Sequence, residues 1–198
     1  MAEQFEVIDS PSNPLDGAAF SAGPGPELVM GPAGDCARFS LRLAPGDLAK
    51  AAEAFGLDIP PKIGRMSSEA DKTALCLGPD EWLLLAPQSE GEGIAARFAA
   101  IAGQTTHSLV DVGHRNVGID VCGPEAALAL SSGCPLDLDN MPIGGGARTV
   151  LDKAEIIVMR FAKERYRLEI MRSFAAYVWN FLTNAGREFD VEAGPPPP

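Results

Sequence analysis

Apolar residues follow two periods along this chain, every second position in some stretches and every third or fourth position in others. The alternation over residues 39–43 predicts a half-buried strand. Residues 48–55 have helical spacing and lie between a Pro-Gly-Asp start and Gly56, which predicts a helix. Apolar runs on both sides of a turn at 78–81 predict a hairpin, and residues 94–101 predict a second helix.

The same order of elements returns in the second part of the chain. Its members are a strand at 117–121, a helix at 124–130, an extra strand at 149–151, a hairpin with strands at 156–159 and 166–170, and a last helix at 174–182. A strand, a helix, a hairpin and a helix therefore occur twice. We expect an α+β fold in which two ferredoxin-like split βαβ halves pack together.

Changes in composition suggest where these halves begin and end. Residues 1–35 are rich in Pro, Gly, Ser and Ala and show neither period, so we expect an extended N-terminal arm. We assign 36–104 to the first half, 105–190 to the second half and 191–198 to a Pro-rich tail. Extended Pro/Gly-rich termini of this kind can order against a partner protein. Within the first half, residues 58–71 predict an irregular loop.

The charge of the chain narrows the range of partners. The formal net charge is -11 and the pI is near 4.6, so we expect no nucleic-acid partner, because a phosphate backbone requires a basic face.

No apolar run approaches the roughly 20 residues of a membrane span. The acidic start lacks the features of a secretory signal, and the four cysteines lack metal-binding spacings. We therefore expect a cytoplasmic protein with reduced thiols and no membrane partner.

Few residues suggest catalysis or metal binding. His107 and His114 are the two histidines, so a metal site would need distant carboxylates or thiols. A Cys122–His114 pair lacks an electropositive setting that would activate the thiol. The glycines at 144–146 precede a strand without a Lys-Ser/Thr pair, which indicates a flexible turn rather than a phosphate loop. We assign no catalytic residue, no metal ligand and no cofactor held by this chain.

One stretch resembles a known module. Asp111-Val112-Gly113-His114 leads into a strand, Gly123 and Ala126 begin a helix, and Asp137 lies in the turn that follows. This order resembles the folate-binding module of aminomethyltransferases, with Gly113 in place of the usual Ser. That family has paired acids before a later strand, and here the stretch is shortened to 152–155 without an acidic pair. The resemblance therefore implies the fold but not aminomethyl-transfer chemistry.

A second resemblance covers about residues 75–189 and is finer in detail. It rests on four segments, namely Gly78-Pro79-Asp80-Glu81-Trp82-Leu83, Gly133-Cys134-Pro135-Leu136-Asp137-Leu138, Arg148-Thr149-Val150-Leu151 and Arg172-Ser173-Phe174-Ala175. These resemble the gamma subunit family of heterotetrameric sarcosine oxidase. The resemblance implies a non-catalytic subunit in a complex that oxidises sarcosine with O2 to glycine and H2O2, and forms methylenetetrahydrofolate when tetrahydrofolate is present. It also implies alpha, beta and delta partner subunits that hold FAD, FMN, NAD, tetrahydrofolate and zinc.

Two other functions stay open at this point. One is a free-standing folate-binding or aminomethyltransferase-like protein, which a cleft carboxylate with a raised pKa near Asp137 or Glu155 would favour. The other is a scaffold for a different dehydrogenase of the dimethylglycine or sarcosine group.

The candidates for residues near a substrate channel are Asp111, His114 and Arg115, because they lie in the stretch that most resembles the folate module.

Overall fold

The computed structural model describes residues 13–23, 25 and 27–190. The strands in that part of the chain are β1 (Phe20–Ala22), β2 (Leu28–Pro32), β3 (Cys36–Leu43), β4 (Met66–Glu69), β5 (Lys72–Gly78), β6 (Glu81–Pro87), β7 (His107–Asp111), β8 (Asn116–Cys122), β9 (Gly145–Leu151), β10 (Ala154–Ala162) and β11 (Arg165–Met171). The α-helices are α1 (Leu48–Phe55), α2 (Gly91–Ile101), α3 (Ala126–Ser131) and α4 (Ala175–Gly186). The predicted strands, hairpins and helices of both halves are confirmed, with α3 starting two residues later than expected.

The first sheet has the strand order β4-β5-β6-β3-β7. Its strands pair antiparallel, and α1 and α2 cover one face. The core on that face contains Phe55, Trp82 and Phe98, whose large side chains are almost completely buried. Gly56 ends α1 with φ 79°, a left-handed conformation that glycine adopts without steric cost.

The second sheet has the order β1-β2-β8-β11-β10-β9. The helices α3 and α4 lie on its outer face, where Val178 and Leu182 meet Ile119, Leu168 and other buried residues. Each sheet therefore carries two helices on one face. The antiparallel mixed α+β architecture agrees with the fold expected from the repeated element order.

Each sheet contains a strand from a part of the chain that the sequence assigns elsewhere. β7 pairs with β3 and completes the first sheet, although residues 107–111 fall in the expected second half. β2 pairs with β8 in the equivalent place of the second sheet, although no strand is predicted before residue 36. Thus part of the expected N-terminal arm belongs to the chain's own core, because Leu28 and Met30 are buried against the second half.

Two shorter segments also differ from their predictions. The expected loop at 58–71 contains β4, an edge strand with the sequence Met-Ser-Ser-Glu, whose exposed positions give no apolar alternation. The glycines expected to form a flexible turn partly lie in β9. Gly146 N–H donates to Gly64 O at 3.1 Å, and a Cβ on Gly146 would lie 2.8 Å from Val158 O of its own sheet and 3.0 Å from Leu75 Cδ2 of the other sheet. The absence of a side chain at Gly146 therefore leaves room for the neighbouring strand and for the facing sheet.

The two sheets face each other through their inner faces. On one side of this inter-sheet layer, Leu75, Leu83 and Leu85 of the first sheet pack against Ile157 and Met159 of the second. The arrangement is therefore helices, sheet, sheet, helices. No helix in the described part of the chain is long and apolar enough to cross a membrane.

Candidate functional site

The other side of the inter-sheet layer is ionic. Arg38 Nε donates to Glu169 Oε2 at 2.7 Å, and Arg167 Nε donates to Glu169 Oε1 at 2.8 Å. The Glu169 side chain is fully buried and that of Arg38 is 5% exposed. We call these three residues the ionic cluster. Each charge in it has a close partner of opposite sign, as buried charges require.

Strand periodicity explains how these side chains come together. Along β11, Tyr166, Leu168 and Ile170 face the helices, so Arg167 and Glu169 face the other sheet. Gly118 lies opposite Glu169 on β8. A Cβ there would lie 2.7 Å from Ala33 Cβ and 3.1 Å from Glu169 Oε1. The missing side chain at Gly118 therefore leaves the space that the ionic cluster occupies.

The inter-sheet layer opens beside the ionic cluster into a cleft of about 490 Å³, which we call the inter-sheet cleft. It is lined by Gly34, Asp35, Cys36, Ser68, Ala70, Asp71, Thr73, Leu85, Pro87, Gln88, Asp120, Phe161, Arg165 and Arg167. Both sheets contribute to it. Most of the residues that line it are polar or charged, whereas Leu85, Pro87 and Phe161 are apolar.

Asp120 is the acidic group held deepest in the inter-sheet cleft. Its Oδ1 atom is buried and has no hydrogen-bond partner within the described residues. Burial raises the pKa of the Asp120 carboxyl, and the nearby Arg167 and Arg165 guanidinium groups partly oppose that shift. A buried carboxylate oxygen without a partner is uncommon in folded proteins and calls for an explanation.

Cys36 lies at the same cleft but lacks the features of a nucleophile. Arg167 Nη2 donates to its Sγ at 3.1 Å. Burial nevertheless raises the pKa of the Cys36 thiol, more than the two neighbouring arginines lower it. The thiol therefore stays protonated at neutral pH, and the nucleophilic thiolate is not favoured.

The structure places the three residues that were predicted to lie near a channel in two different cavities. Asp111 and His114 both line a second cleft of about 260 Å³, which shares Asp35, Cys36 and Gln88 with the inter-sheet cleft. Asp111 Oδ1 accepts the Gly113 N–H at 2.7 Å. Arg115 instead lines a separate small cavity of about 60 Å³ together with Glu81 and Arg148.

The two carboxylates that would favour an aminomethyltransferase, Asp137 and Glu155, are both exposed. Glu155 lies on β10, and its Oε1 is 3.8 Å from Arg148 Nε. Asp137 lies in an exposed turn, where the side chain and backbone of Asn140 donate to it and hold its pKa below the usual range. Asp152 lies in the two-residue turn between β9 and β10, and it accepts a hydrogen bond from the Tyr177 hydroxyl. A turn this short has no room for the family's acidic loop.

The two histidines lie in different surroundings. His107 Nδ1 is 2.9 Å from the Thr105 hydroxyl, and its ring meets Phe98 edge to face. His114 is exposed, and its backbone carbonyl accepts a hydrogen bond from Arg172 Nε at 3.2 Å. In the part of the chain that the structure describes, no three His, Cys, Asp or Glu residues are grouped as a metal site would require.

Comparison with known families decides the affiliation. The family model for the sarcosine oxidase gamma subunit matches residues 42–188. The chain belongs to the sarcosine oxidase gamma subunit family. It is 27% identical over 197 residues to the sarcosine oxidase subunit gamma of Corynebacterium sp. (strain P-1), covering 97% of this chain and 96% of that one. It is 28% identical over 194 residues to the Arthrobacter sp. subunit, covering 96% and 95%.

Solved structures show the same fold as this gamma subunit family member. A chain of the heterotetrameric sarcosine oxidase from Corynebacterium sp. U-96 superposes with a TM-score of 0.80 at 24% identity, covering 88% of this chain and 91% of that chain. The glycine cleavage system aminomethyltransferase T from Bartonella henselae gives a TM-score of 0.61 at 13% identity, covering 77% and 44%. The fold-level resemblance to aminomethyltransferases is thereby confirmed.

Sequence reasoning missed the ionic cluster and Asp120. The pattern predicts strands at Asp120, Arg167 and Glu169, but the strand predicted at 39–43 begins one residue after Arg38, and no role is predicted for any of these polar residues. A usable signal was present, because Arg165, Arg167 and Glu169 alternate with apolar residues and carry both signs of charge. Mixed charges at every second position of a strand are compatible with pairing across a second sheet.

Proposed function

We propose that this chain is the non-catalytic gamma subunit of a heterotetrameric sarcosine oxidase and supports assembly of that complex. The observation that carries the proposal is the family match over residues 42–188. The curated gamma subunits also support the proposal, because they align along nearly the whole of this chain.

The complex in this proposal oxidises sarcosine with O2 to glycine and H2O2, and yields methylenetetrahydrofolate when tetrahydrofolate is present. Alpha, beta and delta subunits in the cytoplasm complete it and hold FAD, FMN, NAD, tetrahydrofolate and zinc. The gamma chain contributes surface and stability to the assembly. Asp111 and His114 would lie near a channel in a neighbouring subunit, whereas Arg115 belongs to a different cavity.

The arrangement of charged groups supports a non-catalytic role. The ionic cluster is satisfied within the chain, since Glu169 accepts hydrogen bonds from both arginines. The exposed Asp137 carboxylate has a lowered pKa, so it is a weaker base than an ordinary aspartate. The Cys36 thiol has a raised pKa. None of these groups is prepared for proton transfer or nucleophilic attack at neutral pH.

Coexpression with the neighbouring genes tests this function. We would tag the chain at its N-terminus, purify it, and record the subunit content, the visible spectrum and peroxide release from sarcosine. The same tagged chain expressed alone is the matched control. We expect a yellow complex with a large flavoprotein subunit that releases peroxide, and no peroxide from the chain alone.

A colourless chain that purifies without partners and binds tetrahydrofolate would overturn the subunit proposal and favour a free-standing folate-binding protein. A flavoprotein partner that oxidises dimethylglycine but not sarcosine would instead assign the chain to another dehydrogenase.

A further inference from the structure

We propose that a neighbouring subunit of the oxidase adds an extended segment to the free edge of β7, the edge strand of the first sheet. The segment would pair antiparallel with β7 and place an apolar side chain over Leu109, beside α2. The inference rests on the proposed role in assembly and deepens it, because it names the surface that is held and the chemistry of the segment that holds it.

The two sheets match strand for strand, with one exception. The strands β4, β5, β6, β3 and β7 of the first sheet occupy the places of β9, β10, β11, β8 and β2 in the second. Neighbours pair antiparallel in both series. The second sheet has one more strand, β1, which lies beside β2. Within the described residues, no strand lies in the equivalent place beside β7.

One hydrogen bond in each half aligns the two edges residue by residue. Beside β7, Val112 N–H donates to Arg38 O at 2.8 Å. Beside β2, Ala33 N–H donates to Gly118 O at 2.9 Å. Both bonds continue the register of their strand pairs, β3 with β7 and β8 with β2. Val112 therefore corresponds to Ala33, and the residues before them can be matched one to one.

The covered edge of the second sheet shows what this fold places there. Leu28 and Met30 of β2 pair with Ala22 and Phe20 of β1, respectively. Under this cover Leu28 is 0% exposed and Met30 is 2% exposed. The ring of Phe20 packs against the end of α4, where a Cβ on Gly186 would lie 2.5 Å from it. A short extended segment with an aromatic side chain thus closes this edge.

The edge of β7 presents the same backbone groups without a cover. In an antiparallel pair, residues that bond to the partner strand alternate with residues that face away from it. Because Val112 bonds to Arg38, His107, Leu109 and Asp111 direct their backbone N–H and C=O groups away from β3. No backbone group among the described residues pairs with that side of β7. Such a row of unpaired groups is a template for another strand.

Side-chain burial at this edge favours an apolar residue in the added segment. By the alignment, Leu109 takes the place of Met30, yet it is only half-buried. It packs against the core on the helix side of the first sheet. The helix α2 lies over the same edge, since the His107 ring meets Phe98 edge to face. An apolar side chain in the place that Phe20 takes in the second sheet would cover Leu109.

The edge of β7 is also open to pairing by its sequence. It reads His-Ser-Leu-Val-Asp, without lysine or proline, and its pairing with β3 has no bulge. Lysine, proline and bulges are devices by which natural sheets block their edges. The described chain has no further strand to place there. Strand addition by a partner protein uses this kind of edge, with backbone hydrogen bonds for affinity and alternate side chains for specificity.

Hydrogen exchange followed by mass spectrometry tests the inference on the full chain, alone and in the coexpressed complex. We expect the amides of His107, Leu109 and Asp111 to exchange at least about tenfold more slowly in the complex, because each gains a hydrogen bond. The amides of Ser108 and Val110 face β3 and are the internal control, so their exchange should change less.

Leu109→Pro removes one outward N–H and leaves the bonds between β7 and β3 in place. Ser68→Pro is the matched control, because the Ser68 N–H also faces away from its partner strand, on the opposite edge of the sheet. Native mass spectrometry of serially diluted complexes should show at least about tenfold weaker binding for Leu109→Pro only. Urea unfolding of the isolated chains checks that both variants fold, as edge strands tolerate proline.

The outcomes separate this inference from the proposed function. A complex without the alternating protection in β7, or equal binding of Leu109→Pro and Ser68→Pro, would overturn the inference and leave the assembly role intact. Slow exchange of the same amides in the isolated chain would also overturn it, because a segment of this chain or a second copy would then occupy the edge. An unmodified chain that forms no complex with other subunits would overturn both.

Discussion

Glu169 accepts hydrogen bonds from two guanidinium groups in the layer between the sheets, and its side chain is fully buried. Replacing it by Gln keeps the shape but removes the charge that Arg38 and Arg167 share. We expect Glu169→Gln to lower the free energy of unfolding by about 3–5 kcal/mol, the range found when one member of a buried ion pair is removed. Urea unfolding followed by circular dichroism measures the change.

Glu53→Gln is the matched control for that measurement, because Glu53 is exposed on α1. It should change the unfolding free energy by less than about 0.5 kcal/mol. A Glu169→Gln protein as stable as Glu53→Gln would show that the ionic cluster does not hold the two sheets together.

Gly118 illustrates a residue whose importance comes from the space around it. A Cβ at this position would lie 2.7 Å from Ala33 Cβ and 3.1 Å from Arg167 Nη2. We expect Gly118→Ala to destabilise the protein by about 1–3 kcal/mol, since the neighbours must shift to relieve overpacking. Thermal unfolding of Gly118→Ala and Gly31→Ala gives a direct comparison.

Gly31 is also in a strand of the second sheet, but a Cβ there would have no neighbour within 4 Å. Its replacement by Ala should therefore be nearly neutral. Similar losses of stability in both variants would indicate a general effect of strand glycines instead of contact with the ionic cluster.

The role of a single residue was harder to predict from the sequence than its backbone conformation. The helix end at Gly56 was recognisable, because the local pattern and the left-handed φ agree. The burial of Arg38 and Glu169 was not recognisable from the sequence, because each residue is covered by the sheet that faces its own. Asp111, His114 and Arg115 are close in sequence, yet a change of direction after β7 directs Arg115 to another cavity.

At the scale of elements, Glu81 joins the start of β6 to β9 of the other sheet. Arg148 Nη2 donates to Glu81 Oε1 at 2.6 Å, and this hydrogen bond is the main reason that the pKa of Glu81 is lowered. A carboxyl with a lowered folded-state pKa stabilises the fold above its unfolded pKa of about 4.3 and loses that contribution as pH falls through the folded value.

We therefore expect Glu81→Gln to be less stable than the unmodified protein at pH 7, by at most about 1 kcal/mol because Arg148 is partly exposed to water. The difference should shrink as the pH falls below about 4.3. Urea unfolding at several pH values measures it, with Glu92→Gln on the exposed face of α2 as control. A difference that is constant with pH would contradict the assignment to the Glu81 carboxylate.

Elements were predicted well where the chain alternates over several residues and poorly where it does not. β3, β6, β8 and β11 have long apolar patterns, and all four were expected. β2 has the buried positions Leu28 and Met30 in a Pro/Gly-rich setting, too few for a detectable period. Such strands are specified by the sheet edge that receives them, which local sequence does not reveal.

At the scale of the whole molecule, each sheet contains a strand from a part of the chain that the sequence assigns elsewhere. β1 and β2 extend the second sheet beyond β8, and β7 forms the edge of the first sheet beside β3. The expected N-terminal arm is thus partly used within the chain, in β1 and β2. Residues 1–12 and the Pro-rich tail at 191–198 lie outside the described residues, so their proposed contact with partner subunits stays a prediction.

The central claim is that this chain is a structural subunit of sarcosine oxidase, and native mass spectrometry of the coexpressed complex tests it most directly. We would compare complexes that contain the unmodified chain or the Asp111→Asn, His114→Ala double variant, and measure peroxide release from sarcosine for each. We expect one gamma chain per complex with the flavoprotein subunits, and turnover numbers within about twofold of each other, since only a residue that takes part in the chemistry costs 10²-fold or more. A gamma chain absent from the complex, or a hundredfold loss of turnover in the double variant, would contradict the claim.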